Sequence, residues 1–322
     1  MQRRLATIDV RADEGRTSLP VIECVGDAPG PTLIFTANIH GDEVAGTVAV
    51  HALSAWLGDH QRAGRVVLYP TLNPGGLASC CREEPTTAQD LNRGFPKGGT
   101  GLAGAIARAL WRDIVARQPE LLVDLHSDSA LAIPYAIVDR AVLRGASERI
   151  WLEREARTAA EVAGVTVVHE FVDDDYRRYG LERSLSGAVM NHLGKPAITI
   201  EAGGRRVAEP RAVAALVAAC SNVIAQRGLV PESMGCEVPG LPGRWRRSLG
   251  PRSTSAGLWV PLFAPGDDVE PGEVIGVIRS AAGRVLERPC AVRGGVVLSW
   301  REGAWIEPGQ ICGTFAVEEG DG

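Results

Sequence analysis

The stretch Thr32-Leu33-Ile34-Phe35-Thr36-Ala37-Asn38-Ile39-His40-Gly41-Asp42-Glu43 decides the reading of this chain. Its first six residues form a short, unalternating apolar run with β-branched and aromatic side chains. A strand covered on both faces reads this way. A brief polar turn follows, and a helix is predicted from Glu43 to Leu57. His40 and Glu43 lie three residues apart across that turn. The pattern therefore carries an imidazole and a carboxylate to the carboxyl end of a sheet strand, where open α/β sheets bind ligands.

Outward from this stretch the same pattern repeats. Strands are predicted at Val66–Pro70, Leu121–Leu125, Tyr135–Val138 and Ala197–Ile200. Helices are predicted at Gly101–Arg117, Ala146–Ala163 and Pro210–Arg227. Short apolar runs alternating with longer amphipathic segments imply an α/β fold, a mixed, mainly parallel sheet flanked by helices. Pro231–Pro251 is rich in Pro, Gly and Arg and reads as a connection. Beyond it come short glycine-punctuated runs without helical period, so domains are expected at 1–235 and 250–322, the second a small all-β sandwich or barrel. Within it Val269-Glu270-Pro271-Gly272-Glu273-Val274-Ile275-Gly276 is echoed by Ile306-Glu307-Pro308-Gly309-Gln310-Ile311-Cys312-Gly313. Such half-repeats resemble biotinyl or lipoyl carrier domains, which hold their cofactor on a lysine. No lysine follows Lys195, so a carrier role is excluded.

Composition narrows the function classes. The 322 residues carry 34 basic and 39 acidic side chains, a net charge of −5 with no basic patch for nucleic acid. No stretch reaches the ~18 apolar residues of a membrane helix, and the N-terminus has no apolar signal core. The seven cysteines (Cys24, Cys80, Cys81, Cys220, Cys236, Cys290, Cys312) form no C-x-x-C pair. A cysteine zinc site or disulfide framework is therefore not expected, and a reducing cytoplasm is. The reading leaves a homo-oligomer open.

A second strand end, Asp124-Leu125-His126, supplies another imidazole. Two His and one Glu make the His₂Glu set of a catalytic zinc site, whose fourth position is left for water or substrate. His51, His60, His169 and His192 lie in a helix, a loop or polar surroundings and read as structural. Two further segments strengthen the set. In Gln89-Asp90-Leu91-Asn92-Arg93, Arg93 offers a planar charged fork for a carboxylate or a developing oxyanion, with Asn92 beside it. Asp90 can accept the outer N–H of a metal-bound histidine. In Ile200-Glu201-Ala202-Gly203 a strand delivers one carboxylate into a glycine turn, where it can act as general base.

The ordered set His40-Gly41-Asp42-Glu43, Asp90-Leu91-Asn92-Arg93, Asp124-Leu125-His126 and Ile200-Glu201-Ala202-Gly203 resembles the succinylglutamate desuccinylase/aspartoacylase family. That family is a branch of the zinc carboxypeptidase-like hydrolases, and the resemblance spans roughly residues 20–230. The tail resembles the branch's C-terminal module. Ala256-Gly257-Leu258-Trp259 and the Pro-Gly repeats are similar to those of bacterial N-acetyl-diaminobutyrate deacetylases of ectoine breakdown. The resemblance implies one Zn²⁺ on His40, Glu43 and His126, water activation by Glu201, and Asn92 and Arg93 on the substrate carboxylate. It also implies an upstream arginine that polarises the scissile carbonyl, for which Arg82 is the nearest candidate. A tyrosine or arginine from the loop before Glu201 should reach the substrate; Asp173-Asp174-Asp175-Tyr176-Arg177-Arg178-Tyr179-Gly180 offers several, Tyr179 among them. The triple aspartate could favour a cationic substrate. The expected activity is removal of an acetyl- or succinyl-type group from an N-acyl amino acid. A zinc carboxypeptidase on short peptides and a catalytically silent binding protein on the same scaffold are the alternatives.

Overall fold

In the computed structural model, which describes residues 1–235 and 240–319, the run Thr32–Ala37 closes a ten-residue strand, β3 (Ala28–Ala37). Before it stand β1 (Gln2–Ala12) and β2 (Gly15–Val25). After it come α1 (Ala45–His60), β4 (Ala63–Tyr69), α2 (Pro74–Ser79) and α3 (Gly101–Arg117). The chain continues with β5 (Leu121–His126), β6 (Leu131–Ala132), β7 (Tyr135–Val138), α4 (Ala146–Ala163) and β8 (Thr166–His169). Two short helices, α5 (Asp173–Arg178) and α6 (Leu185–Ala188), lead to β9 (Ala197–Glu201) and α7 (Pro210–Gln226).

The parallel strands β4, β3, β5 and β9 lie side by side, and β7 joins β9 antiparallel before pairing parallel with β8. Every residue of β5 is buried, as are Leu33–Ala37 of β3, which is why these runs are apolar throughout. Helix α7 packs against both α1 and α4 over the sheet. The hairpin β1–β2 was not predicted. Most of β1 is exposed and its run Gln2-Arg3-Arg4-Leu5-Ala6-Thr7 has neither an apolar face nor a helical period. Charged side chains such as Arg3 and Arg4 suit an edge strand.

Chain order in the sheet fixes what meets at its carboxyl edge. In register, Thr36 stands beside Asp124 and His126 beside Glu201. Thr36 Oγ1 donates to Asp124 Oδ1 at 2.6 Å, tying β3 to β5 just below the strand ends.

The tail is β-rich, as expected, and its strands divide between two layers. Strands β10 (Trp245–Leu249), β11 (Gly257–Pro261), β12 (Asp268–Val269), β13 (Gly276–Arg279), β14 (Val285–Glu287), β15 (Gly295–Trp300), β16 (Trp305–Ile306) and β17 (Gly313–Glu318) follow one another. A four-stranded layer runs β14-β13-β11-β16. The other layer continues the main sheet, because β10 pairs parallel with β8 and antiparallel with β17, which leads on to β15 and β12. Trp259, Ile278, Trp300 and Phe315 fill the space between the layers. Gly272 and Gly309 take the left-handed turn at φ +82° and +86°, as the repeated Pro-Gly pairs suggest. A Cβ on Gly276 would stand 2.2 Å from the Trp259 ring, so that repeat glycine is required by close approach.

Candidate metal centre and active site

The loop after β3 is held by its own polar atoms. Asn38 takes a left-handed φ of 57°, and its side-chain amide donates to the carbonyls of His40, Gly41 and Glu43 at 2.9–3.1 Å. Thr71 Oγ1 donates to the Asn38 side-chain Oδ1 at 2.7 Å. Gly41 lies so close to Gly76 that a Cβ would fall 2.1 Å from its main chain. This packing turns both His40 and Glu43 inward, each almost fully buried.

His40, Glu43 and His126 converge, with one ligand atom from each lying within 4.8 Å of the others. The two Nδ1 atoms each stand 2.8 Å from an oxygen of Glu43. Their outer nitrogens face carboxylates as well: His40 Nε2 is 3.2 Å from Asp90 Oδ1, and His126 Nε2 is 2.9 Å from Asp124 Oδ2. A neutral imidazole has one N–H, so each ring needs a second proton or a cation at its remaining contact. Outer carboxylates that orient the imidazoles of a metal site have this arrangement. The donor set therefore fits a divalent metal. Burial would discharge His126, but Asp124 and Glu43 outweigh it and hold its pKa well above the usual value. Burial likewise would raise Glu43, and His40 with His126 draw it well below the carboxylate range.

Glu201 closes β9 beside His126, and its Oε2 is buried with no partner. Burial pushes its pKa well up, with Asp128 and Glu43 adding to the effect against His126. A cavity of about 90 Å³ opens over these groups, lined by His40, His126, Glu201, Arg82, Asn92 and Arg93 together with Asp139, Glu170 and Arg247.

The sequence-derived candidates fare differently in detail. Asp90 does face His40, and its Oδ1 also caps the turn at Leu91–Arg93 by accepting from Asn92 N at 2.8 Å. Burial would raise Asp90, but the His40 contact and the nearby arginines bring it far below its usual value. Asn92 lines the cavity; its side-chain Oδ1 accepts from Leu185 N at 2.7 Å, which leaves its side-chain N–H groups for the cavity. Arg93 lines it too, with Nε on the Tyr179 carbonyl at 3.1 Å and Nη1 on the Asn92 carbonyl at 2.7 Å. Arg82 reaches Glu43 Oε1 at 3.1 Å and Asp90 Oδ2 at 3.6 Å. Tyr179 is placed differently from the expectation: it does not line the cavity, and its ring packs on Phe171 with centroids 5.2 Å apart. What it gives the site is its main-chain carbonyl. The triple aspartate does not line the cavity either; Asp173 is clasped by Arg149 at 2.6 and 2.7 Å.

The sequence reading missed Asp139, Glu170 and Arg247, and also Arg205, whose Nε lies 3.6 Å from Glu43 Oε1. Asp139 and Glu170 follow the last residues of β7 and β8, a strand-end signal like that of His126. Nothing in Trp245-Arg246-Arg247 marks the third residue as the one that turns into the cavity.

Residues 29–227 match the succinylglutamate desuccinylase/aspartoacylase catalytic domain. The chain belongs to this family of hydrolases. It is 26% identical to an N-alpha-acetyl-L-2,4-diaminobutyric acid deacetylase of Halomonas elongata, over 97% of this chain and 94% of the relative. Its fold is that of the ectoine utilization protein EutE (DoeB) from Ruegeria pomeroyi in a product-bound structure. The TM-score there is 0.81 at 22% identity, covering 98% of this chain and 94% of that one. A metallo-carboxypeptidase from Burkholderia cenocepacia shares the fold more distantly, with TM-score 0.54 and 18% identity over 70% of this chain and 65% of that one. The α/β architecture is thus zinc-carboxypeptidase-like, with a later all-β region. No helix among the described residues is long and apolar enough to cross a membrane.

Proposed function

We propose that this enzyme hydrolyses the amide of a small N-acyl amino acid, releasing a short carboxylic acid and a free amine. One observation carries the reading: a buried His₂Glu set with carboxylate-held outer nitrogens shares a cavity with the Glu201 carboxylate, which no group among the described residues pairs, and with arginines. His40, Glu43 and His126 would hold one Zn²⁺. When bound, zinc supplies a Lewis acid and brings the pKa of water towards ~7.

The remaining work falls to side chains. The Glu201 carboxylate takes the proton of the attacking water and returns it to the leaving nitrogen. Arg82, beside Glu43, and Arg93 offer N–H donors to the carbonyl oxygen as it gains negative charge. Asn92 and Arg93 hold the carboxylate of the substrate. Asp90 and Asp124 keep the imidazoles turned inward. In this reading 1–235 is the catalytic domain and 250–322 the module that narrows its entrance. The cysteines without disulfides among the described residues suit a reducing cytoplasm; Cys236 lies outside those residues.

A cavity of about 90 Å³ favours a compact acyl group over a peptide chain. The likeness to the Halomonas enzyme makes an N-acetylated diamino acid the first substrate to assay. The test is a zinc-loaded hydrolysis screen of N-acetyl and N-succinyl amino acids beside short peptides, with bound metal measured. Turnover of acyl amino acids alone is expected. Release of C-terminal residues from peptides would establish a carboxypeptidase instead, and absence of bound metal would establish a silent binding protein.

A further inference from the structure

Arg247 stands in the middle of β10, the strand that joins the tail to the main sheet. Neighbouring residues of a strand face opposite ways. Arg246 turns to Glu319, and Arg247 turns into the cavity with Glu170. Its Nη1 donates to Glu170 Oε2 at 3.0 Å, and its Cζ lies 5.3 Å from the centre of the Phe171 ring. Glu170 is itself buried, and its Oε1 accepts from Phe171 N at 3.1 Å, so the pair is fixed in place.

The donors of this guanidinium are largely unused. Nε is buried without a partner, and no acceptor for Nη2 occurs among the described residues. A guanidinium carries five N–H donors, and a buried N–H is ordinarily hydrogen-bonded. Arg93, by contrast, spends Nε and Nη1 on main-chain carbonyls. Some 21% of the Arg247 side chain remains accessible, and Arg247 is among the residues that line the cavity. An anion with two acceptor oxygens would supply what the protein does not.

We propose that Arg247 binds a carboxylate of the substrate, so that the β-rich tail completes the active site by contributing a specificity-determining cation. The inference rests on the deacylase reading. The carboxylate belongs either to the amino-acid part or to the acyl part of the substrate.

The experiment uses the full-length, zinc-loaded protein with Arg247→Met and Arg247→Lys. Three probes are compared: an N-acetyl amino acid, an N-succinyl amino acid amide, and the neutral N-acetyl amino acid amide. A charge-assisted pair lost from a buried site should raise KM about 10–100-fold for the probe whose carboxylate Arg247 holds. The expected result is that rise with kcat nearly unchanged, no change for the neutral amide, and partial recovery in Arg247→Lys. A rise confined to the N-acetyl acid places the carboxylate on the amino-acid part; one confined to the succinyl amide places it on the acyl part. Equal losses on all three probes, or no change on any, would overturn the proposal. Should Arg247→Met fail to fold, Arg247→Lys keeps the charge beside Glu170 and carries the test alone. If the wild type turns over none of the probes the deacylase reading fails. Calorimetric titration of the N-acetyl acid and the succinyl amide into wild type and variant then reads the clamp independently. Weaker binding of either in the variant supports the clamp, and equal binding of both overturns it.

Discussion

Glu201 is the residue on which chemistry and stability pull apart. Its Oε2 is buried with no partner, an arrangement that burial penalises and that a proton carrier requires. Glu201→Gln keeps the shape and removes the basic oxygen. It should retain stoichiometric zinc while kcat falls by at least ~10²–10³, the order seen when one stabilising group is lost. A metal assay beside steady-state kinetics checks this, and near-wild-type turnover would remove Glu201 from the mechanism. Asp139 makes a complementary prediction about stability. Burial, reinforced by Glu170, pushes its pKa up to about 7, against the hydrogen bond that Tyr176 donates at 2.8 Å. An unfolded aspartate ionises near pH ~4. Between those values the folded chain holds a proton that the unfolded chain has lost, so stability falls as pH rises through this window and levels above it. Asp139→Asn keeps an acceptor for Tyr176 and removes the titration. Its stability relative to wild type should therefore rise by up to about 4 kcal/mol from pH ~4 to ~7, read by urea denaturation. A pH-independent difference would contradict the assignment.

Among the elements, the strand ends were the most legible part of the sequence. The apolar runs ending at Ala37, His126 and Glu201 announced buried parallel strands, and the polar residues at or just past their ends, His40, Glu43, His126 and Glu201, announced the chemistry. The second carboxylate set was harder to see, because Asp139 and Glu170 follow the short strands β7 and β8, and β8 was not predicted at all. Tyr179 could not be oriented, since a short helix and turn decide which side of the loop faces the cavity. The element that couples the site to the tail is the loop after β5. There Asp128 Oδ2 accepts from Tyr135 OH and from Ser299 Oγ, both at 2.6 Å, joining β7 to β15. Asp128→Ala strands two buried hydroxyls and should cost about 2–5 kcal/mol of stability. Ser299→Ala leaves the Tyr135 bond intact and should cost about 1 kcal/mol. Urea midpoints of the two variants test the ordering, and equal effects would show that Asp128 does not join β7 to β15.

At the scale of the whole molecule, composition shifts suggested a boundary near residue 240, and the β-rich character of the tail follows from its glycine-punctuated runs. What composition could not show is that β10 continues the main sheet, because strand pairing over more than seventy positions leaves no local trace; Arg246 stands beside His169. The continuity has an energetic consequence. One apolar cluster takes Tyr135, Ile137 and Val168 from the first part and Val296, Leu298 and Ala316 from the tail. Arg205, close to Glu43, is paired with Glu302 of the tail at 3.2 Å. Melting the tail alone would bare the edge of β8 and half of that cluster, and would leave Asp128 without one of its donors. The two parts should therefore unfold together. Scanning calorimetry of the zinc-loaded chain is expected to give a single transition with a calorimetric-to-van't Hoff enthalpy ratio near ~1. Two resolved transitions would show that the tail melts independently and that the shared cluster contributes little to cooperativity. The same coupling predicts that loss of zinc, achieved by chelation or by His126→Ala, lowers the midpoint of the whole transition rather than of one part, since ligand binding to the native state stabilises everything that unfolds with it.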